Sequence, residues 1–403
     1  MTATQLPAIR TLPGPVLAPQ PGVPWADTML LNPSLIDDPA TGVLHMLFRA
    51  SGPFPEKQTP GQPLPYPIFL GYATSRDGGR SWQADFSRPC LAPRLELEPQ
   101  RIRITGSDGQ QHVNYANGCI EDPRLFRLEG EVYLTTACRM FPPGPYWEHD
   151  EPTQCAPSWA TSGQHRLGPA ATTNLTVTVL WKVNLRQLAA RRYAEAFTYV
   201  RPISDPTHGD NRDVFPFPQR LKIAGRERYV CLHRPFQPEL YDSNLAGRQP
   251  SIFISCAERL EDLGGPAATH RLLAKPMLPW EGNRVGASWV PLPLGDGEWL
   301  LPYHAKQDMV VGYTQSFMIL KEGTDGWPVV THRCSDRLMY ARAEWELAGR
   351  FKTPCVFTCG GILQGEDLLM SYGAADTVAG VAWVNFAELV AHVRRFNADG
   401  SLR

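Results

Sequence analysis

The chain has 403 residues, 43% of them hydrophobic, enough to bury a large core in one big all-β domain or in two ordinary ones. Its 39 basic and 40 acidic residues balance to a formal net charge of -1, which excludes the electrostatic footprint of a protein that holds nucleic acid or an anionic membrane surface. The sequence shows no apolar h-region at its start and no run of about eighteen uncharged apolar residues, so no export signal or membrane span is expected and a cytoplasmic location is.

In chain order, "MTATQLPAIRTLPGPVLAPQPGVPW" is proline-rich, and residues 1–24 read as an N-terminal extension. Beyond it, short runs rich in Val, Ile, Tyr, Phe and Trp recur between plentiful glycine (34) and proline (39), the pattern of strands and turns. "GVLHMLFRAS" and "IFLGYATS" begin the series, "EVYLTTACRM", "LTVTVLWKV" and "RYVCLHRPF" continue it, and "EWLLPYHAK", "DLLMSYGA" and "GVAWV" close it. Only "NLRQLAARRYAEAF" (184–197) and "NFAELVAHVRRF" (385–396) have the three-to-four spacing of amphipathic helices. The strands fall into five clusters, at about 25–95, 115–200, 210–275, 285–345 and 350–395, with no low-complexity linker between them. A single domain over 1–403 follows: all-β, a β-propeller with short peripheral helices.

"SRDGGRSW" (75–82) resembles the Asp-box hairpin turn of propeller blades, in which Asp77 accepts backbone N–H bonds, Gly78 and Gly79 take positive φ and Trp82 packs under the sheet. Its role is structural. Two proline-rich stretches, "SGPFPEKQTPGQPLPYP" and "FPPGPYWEHDEPTQCAPSWATSGQHRLGPAATT", read as long loops. The second carries Tyr146, Trp147 and Trp159, either an aromatic wall for a sugar acceptor or a surface ornament. The nine cysteines lie in strand-like runs, which suits reduced, buried thiols better than a disulfide framework. Cys355 and Cys359 share one face of a strand, but no second Cys/His pair stands at ligand spacing, so no metal is expected.

Polar clusters end the strand groups, where a propeller would bring them to its axis. "GCIEDPRLF" sets Glu121 and Asp122 side by side before Pro123 and Arg124. Alone, this reads as a turn shaped by Asp122–Pro123 with Glu121 paired to Arg124. "DNRDVFPFP" adds Arg212 and Asp213, "YVCLHRPF" adds His233 and Arg234, "WLLPYHAK" adds Tyr303, His304 and Lys306, and "LLMSYGAADT" adds Asp376.

Taken in order, these motifs resemble glycoside hydrolase family 130, the β-mannoside phosphorylases and related mannosidases. The likeness runs from "LLNPSLIDDPATGVLHMLFRA" through "GCIEDPRLF", "NRDVFPFP", "CLHRPF", "VGASWVPLPLGDGEWLLPYHAK" and "TPCVFTCGGIL" to "YGAADT", most of the chain. It implies a single five-bladed propeller with an axial active site. It also implies an inverting reaction in which inorganic phosphate attacks the anomeric carbon of a β-mannoside and releases α-mannose 1-phosphate, so that one protein carboxylic acid suffices. By this likeness Asp122 is the acid, acting through the sugar's 3-hydroxyl, and Glu121 orients the site. Arg139, Arg212 and His233 match phosphate-binding positions, and Asn32, Arg49 and Asp376 match mannose-binding ones. Asp213, Tyr303 and His304 stand as further substrate contacts, and Arg124 pairs with Glu121 or faces the anion.

Arg212 replaces the family's usual lysine, Ala305 its usual glycine, and "RVGASWVPLP" is poorer in glycine than its counterpart. No cofactor is implied beyond phosphate as co-substrate; the partners are phosphate and a small oligosaccharide, and a homo-oligomer is left open. The alternatives are a β-mannosidase that uses water and a non-catalytic glycan-binding propeller.

Overall fold

The structure, a computed structural model, describes residues 6–52, 68–93, 103–105, 108–113, 119–139, 176–205, 207–308, 310–347 and 354–403, with Gly163 and Gly349. Five antiparallel sheets follow one another along the chain and correspond to the five strand clusters, with one two-stranded ribbon (Arg103–Thr105 with Gln111–Val113) beside them. Each sheet is a blade. The innermost strands are Met29–Asp38, Ile120–Leu128, Asn211–Pro216, Arg284–Ala287 and Val356–Gln364. The first four are buried nearly throughout, because a strand between neighbouring blades has little wet face, and so they lack polar-apolar alternation; Val356–Gln364 is buried over its first five residues. Alternation appears on outer strands such as Thr269–Ala274.

Apolar side chains join each blade to the next around a closed ring. Leu47 and Tyr72 of blade 1 pack with Leu134 and Trp181 of blade 2, and Phe126 and Leu180 of blade 2 with Val214 and Cys231 of blade 3. Phe215 and Leu232 of blade 3 meet Trp299 and Tyr303 of blade 4; Phe317 of blade 4 meets Tyr372 of blade 5; Leu369 and Val381 of blade 5 meet Leu30 and Phe48 of blade 1. This is a five-bladed β-propeller.

The Asp-box is present as a turn. Asp77 accepts from Ser81 N at 2.9 Å and Ser81 Oγ at 2.6 Å, and these bonds, the hydroxyl's first, lower its carboxyl to about 2. Gly78 and Gly79 have φ of 71° and 87°. Trp82 is buried, its Nε1 donating to Gly79 O at 2.9 Å.

Two expectations change. The 184–197 helix is two short ones, Leu185–Ala189 and Tyr193–Ala196, broken where Arg191 takes a left-handed φ of 57°, and Phe197 already starts the next strand. Phe386–Val393 is helical as expected, capped by Asn385. The proline-rich N-terminus is also not simply an extension. Arg10–Thr11 forms the outermost strand of blade 5, pairing antiparallel with Trp383 and Ala382, and Leu17 bridges Ala379. The ring is thus fastened by strands from its two ends.

Deleting residues 1–18 strips this strand and leaves an unpaired edge along Val378–Asn385. The expected result is a Tm lower by about 5 °C or more and a greater tendency to aggregate, read by calorimetry and light scattering.

Candidate active site

The innermost strands of blades 1 to 3 share a local device. Register slips between Leu31 and Ser34, Glu121 and Arg124, and Arg212 and Phe215, bulging out Asn32–Pro33, Asp122–Pro123 and Asp213–Val214. Asn32, Asp122 and Asp213 take φ of 48°, 48° and 54°. Asn and Asp tolerate this left-handed conformation because their short polar side chains bond locally, and proline has no N–H to miss from the ladder. The bulge breaks strand alternation and turns one polar side chain per blade toward the axis.

A cavity of about 300 Å³ opens there, lined by Asn32, Arg49, Asp122, Asp210, Arg212, Arg234, Arg284 and Asp376, with Phe236, Tyr313 and Phe357 among its rings. Asp122 Oδ1 accepts from Asn32 Nδ2 at 2.7 Å and from Arg49 Nη1 at 3.2 Å. Its Oδ2 accepts from no described residue and is available to a ligand. Asn32 approaches Gly373 so closely that a Cβ there would lie 2.2 Å from Asn32 Oδ1. Glu121, 1% exposed, stands behind the wall and ties two of its cations together, 3.2 Å from Arg49 Nη1 and 3.8 Å from Arg212 Nη1. Arg212 also bonds Asp210 (3.1 Å) and Thr176 Oγ1 (2.8 Å). Burial opposes its charge, but Asp210, Glu121 and Asp122 outweigh this and raise its pKa above the ordinary arginine value. Asp376, at φ 49°, accepts from the Cys355 thiol at 3.6 Å; burial raises its carboxyl above the usual range against the pull of Arg49.

Beneath this wall lies a buried charge cluster. Asp213 Oδ1 accepts from Arg124 Nη2 at 2.6 Å and Oδ2 from Arg234 Nε at 2.5 Å, while His304 Nε2 stands 3.2 Å from Oδ2. Burial works against the Asp213 charge, yet Arg234, His304 and Arg124 together hold its carboxyl well below the ordinary value. Arg124 continues to Ser288 O (2.7 Å) and lies over Phe215 and Phe357, so one guanidinium from blade 2 touches blades 3, 4 and 5. Gly286 makes room for the cluster: a Cβ there would fall 2.4 Å from Asp213 Oδ2 and 2.5 Å from His304 Nε2.

Of the residues singled out from sequence, Asn32, Arg49, Asp122, Arg212, Arg234 and Asp376 meet in the cavity wall. Glu121, Arg124 and Lys306 do not line it, and neither do four others. Asp213 and His304 belong to the buried cluster. Tyr303, next to His304 on a strand of period two, must face the other way; it packs in the core between blades 3 and 4 with its hydroxyl on Glu281 at 2.8 Å. His233 is 3% exposed, with Nδ1 3.2 Å from Asn211 Nδ2 and Nε2 3.1 Å from His270 Nδ1. Burial, reinforced by His270 and His208, holds its pKa well below the ordinary value. Arg124 takes neither role foreseen for it, because Asp213 is its partner.

The Arg139 side chain and the loop with Tyr146, Trp147 and Trp159 lie outside the described residues, although the Arg139 backbone pairs with Thr176, the residue that Arg212 bonds. Sequence reasoning missed Asp210, Arg284, Phe236 and Tyr313 as wall residues. The signal for Arg284 was the cation that opens "RVGAS", the first residue of an innermost strand. Every described cysteine is free and buried.

An axial cavity of aspartates, arginines and an amide offers the paired hydrogen-bonding groups that sugar hydroxyls match. Residues 182–395 match the sequence model of glycoside hydrolase family 130, described as beta-1,4-mannooligosaccharide phosphorylase. The chain belongs to this family, and it is an enzyme of the β-mannoside phosphorylase group. It is 25% identical over 376 residues to a 1,2-beta-oligomannan phosphorylase of Thermoanaerobacter sp. (strain X514), covering 93% of this chain and 96% of that protein. It is 28% identical over 305 residues to a beta-1,2-mannobiose phosphorylase of Listeria innocua serovar 6a, covering 71% and 76%. A solved beta-1,2-mannobiose phosphorylase from Listeria innocua, in complex with beta-1,2-mannobiose, shares the fold with a TM-score of 0.63 at 17% identity over 96% of this chain and 99% of that one.

Asp213→Asn keeps the shape of the buried cluster but leaves Arg124 and Arg234 without their counter-charge, an expected loss of about 3–5 kcal/mol. A depressed carboxyl stabilises the fold fully above its unfolded pKa, near about 3.9, and loses that contribution as pH falls through the native value. The Tm gap between wild type and variant should therefore stay constant from about pH 5 upward and close only in stronger acid. Thermal melts across pH check both points.

Proposed function

We propose that this protein cleaves a β-linked mannoside by inverting phosphorolysis, with Asp122 as the acid. The observation that carries the reading is the composition of the wall: Asp122, whose Oδ2 accepts from no described residue, stands with Asp210 and Asp376 among four arginines. A phosphate dianion entering a pocket of carboxylates would be repelled and desolvated at high cost, whereas guanidinium groups offer charge and paired donors. Arg212 is the cation assigned to phosphate, with Arg139 expected beside it. Glu121, by tying Arg49 and Arg212, fixes the sugar-side and phosphate-side cations relative to each other. His233 acts behind Asn211 as support for the Arg212 strand and not as a wall residue.

In the proposed step a phosphate oxygen bonds to the anomeric carbon as the glycosidic C–O bond breaks. Asp122 supplies the proton that the departing oxygen takes up, relayed through the sugar's 3-hydroxyl, and recovers it from solvent. Asn32 and Arg49 hold Asp122 Oδ1, so that Oδ2 is the oxygen that faces the sugar hydroxyl. Asn32, Arg49 and Asp376 bind the mannose. The named activities of the relatives, on 1,2- and 1,4-linked mannosides, support the substrate class. Phosphate is the co-substrate and no cofactor is required.

Incubation with β-1,2- and β-1,4-mannobiose, with and without phosphate, tests this. The expected product is α-mannose 1-phosphate, formed only with phosphate; free mannose released at a phosphate-independent rate would replace the reading with hydrolysis. Asp122→Asn should lower kcat by about 10²–10⁴-fold, and Arg212→Ala should raise the KM for phosphate by about tenfold or more. Glycan binding without turnover, the same in Asp122→Asn, would make the protein a binding module.

A further inference from the structure

Three of the four arginines in the cavity wall are matched by carboxylates: Arg49 by Glu121 and Asp122, Arg212 by Asp210, and Arg234 by Asp213. Arg284 is the exception. Its Nε donates to the neutral amide oxygen of Asn283 at 2.6 Å, and among the described residues it forms no ion pair. Its guanidinium lies 5.9 Å from the ring centroid of Phe236, an aromatic residue 53% exposed in the same wall. Directly across the ladder from Arg284 stands Lys306, whose ammonium lies 5.2 Å from the centroid of Tyr313, a third wall residue.

Like charges placed opposite one another on adjacent strands destabilise a sheet. Burial first, then Arg284, pushes the Lys306 pKa below the ordinary lysine value against the pull of Cys355, Asp376 and Asp308, so Lys306 has carboxylates near it whereas Arg284 forms no ion pair among the described residues. A fold assembled only to hold neutral sugar would gain nothing from an arginine without an ion pair in the wall of its site. Both cations belong to blade 4, whereas Arg212 reaches the wall from blade 3 and is bonded to Thr176 of blade 2. Arg284 therefore enters the wall from a different blade than the cation assigned to phosphate.

Building on the phosphorolysis reading, we infer that Arg284 forms a second anion subsite that receives the carboxylate or phosphate group of an acidic acceptor. The mannoside cleaved then carries a negatively charged sugar or hydroxy acid as its leaving group. The exposed Phe236 ring offers the acceptor an apolar face beside Arg284, and the fork of Arg284 suits the two oxygens of a carboxylate or a phosphate.

The reverse reaction reads the acceptor directly: its hydroxyl attacks the anomeric carbon of α-mannose 1-phosphate and inorganic phosphate leaves. Glucose and mannose serve as neutral acceptors, glucuronate as a carboxylate and glucose 6-phosphate as a phosphate ester. One of the acidic acceptors should have a kcat/KM about tenfold or more above the neutral ones, and which of them does identifies the anion. Arg284→Gln should bring the acidic-to-neutral ratio close to one, while Arg284→Lys, which keeps the charge, retains part of it. Equal kcat/KM for acidic and neutral acceptors in the wild type would overturn the inference. So would an Arg284→Gln enzyme with an unchanged ratio and a raised KM for phosphate, which would give Arg284 to the co-substrate. Should the enzyme hydrolyse mannosides and transfer to no acceptor, the phosphorolysis reading fails by itself. Calorimetric binding of glucuronate and glucose 6-phosphate against glucose, to wild type and Arg284→Gln, then decides the subsite: a preference for the acids that the variant loses sustains it, and no preference overturns it.

Discussion

The buried carboxylate of Asp213 is the constraint on which the axis of this propeller depends. Two guanidinium groups from different blades and an imidazole from a third close on it, none of them exposed to solvent. Such a cluster is tolerable only complete, because removing the anion strands two cations in a medium that cannot solvate them. Apolar packing alone joins each blade to its neighbours pairwise. Arg124, reaching Asp213, Ser288, Phe215 and Phe357, fixes four blades against one another at the floor of the cavity.

That floor makes the bulges above it effective. Asn32 and Asp122 each occupy a strained left-handed position that an isolated strand would relax. Here the strain is held by the close approach of Gly373 to Asn32 and by the Asn32–Asp122 bond between blades 1 and 2. The proposed acid is thereby placed by backbone geometry, with one oxygen engaged and the other left for a ligand.

Much of the fold was legible in the sequence because its signals are local. The Asp-box spelled its own turn in eight residues, and short β-rich runs between glycine and proline marked each blade. The closing strand Arg10–Thr11 was not legible: two residues in a proline-rich segment carry no strand period, and only their pairing with Trp383 and Ala382 defines them. The site divided along a similar line. Positions carried by a motif, such as Asn32, Asp122 and Asp376, converge on the cavity. Which of two neighbours faces it was not legible, because a bulge inverts the alternation by which such questions are usually answered. Arg284 stayed hidden for a different reason: an arginine opening a strand looks like any surface charge until its missing counter-ion is seen.

Three dipeptides, Glu121–Asp122, Arg212–Asp213 and Tyr303–His304, carry the clearest lesson about how this axis is built. Each puts two polar groups side by side, and a site-centred reading assigns both to the ligand. The structure separates them. In the first, Asp122 faces the cavity and Glu121 braces the arginines beside it; in the second, Arg212 faces the cavity and Asp213 anchors the floor. In the third, His304 joins the floor while Tyr303 crosses into the core to meet Glu281. Neither partner of the third dipeptide lies in the wall, and blade 4 contributes instead Arg284 and Tyr313. Charge that stabilises the axis and charge offered to a ligand are interleaved residue by residue along the same strands, so the wall can hold free hydrogen-bonding capacity only because each exposed group has a buried neighbour that fixes it.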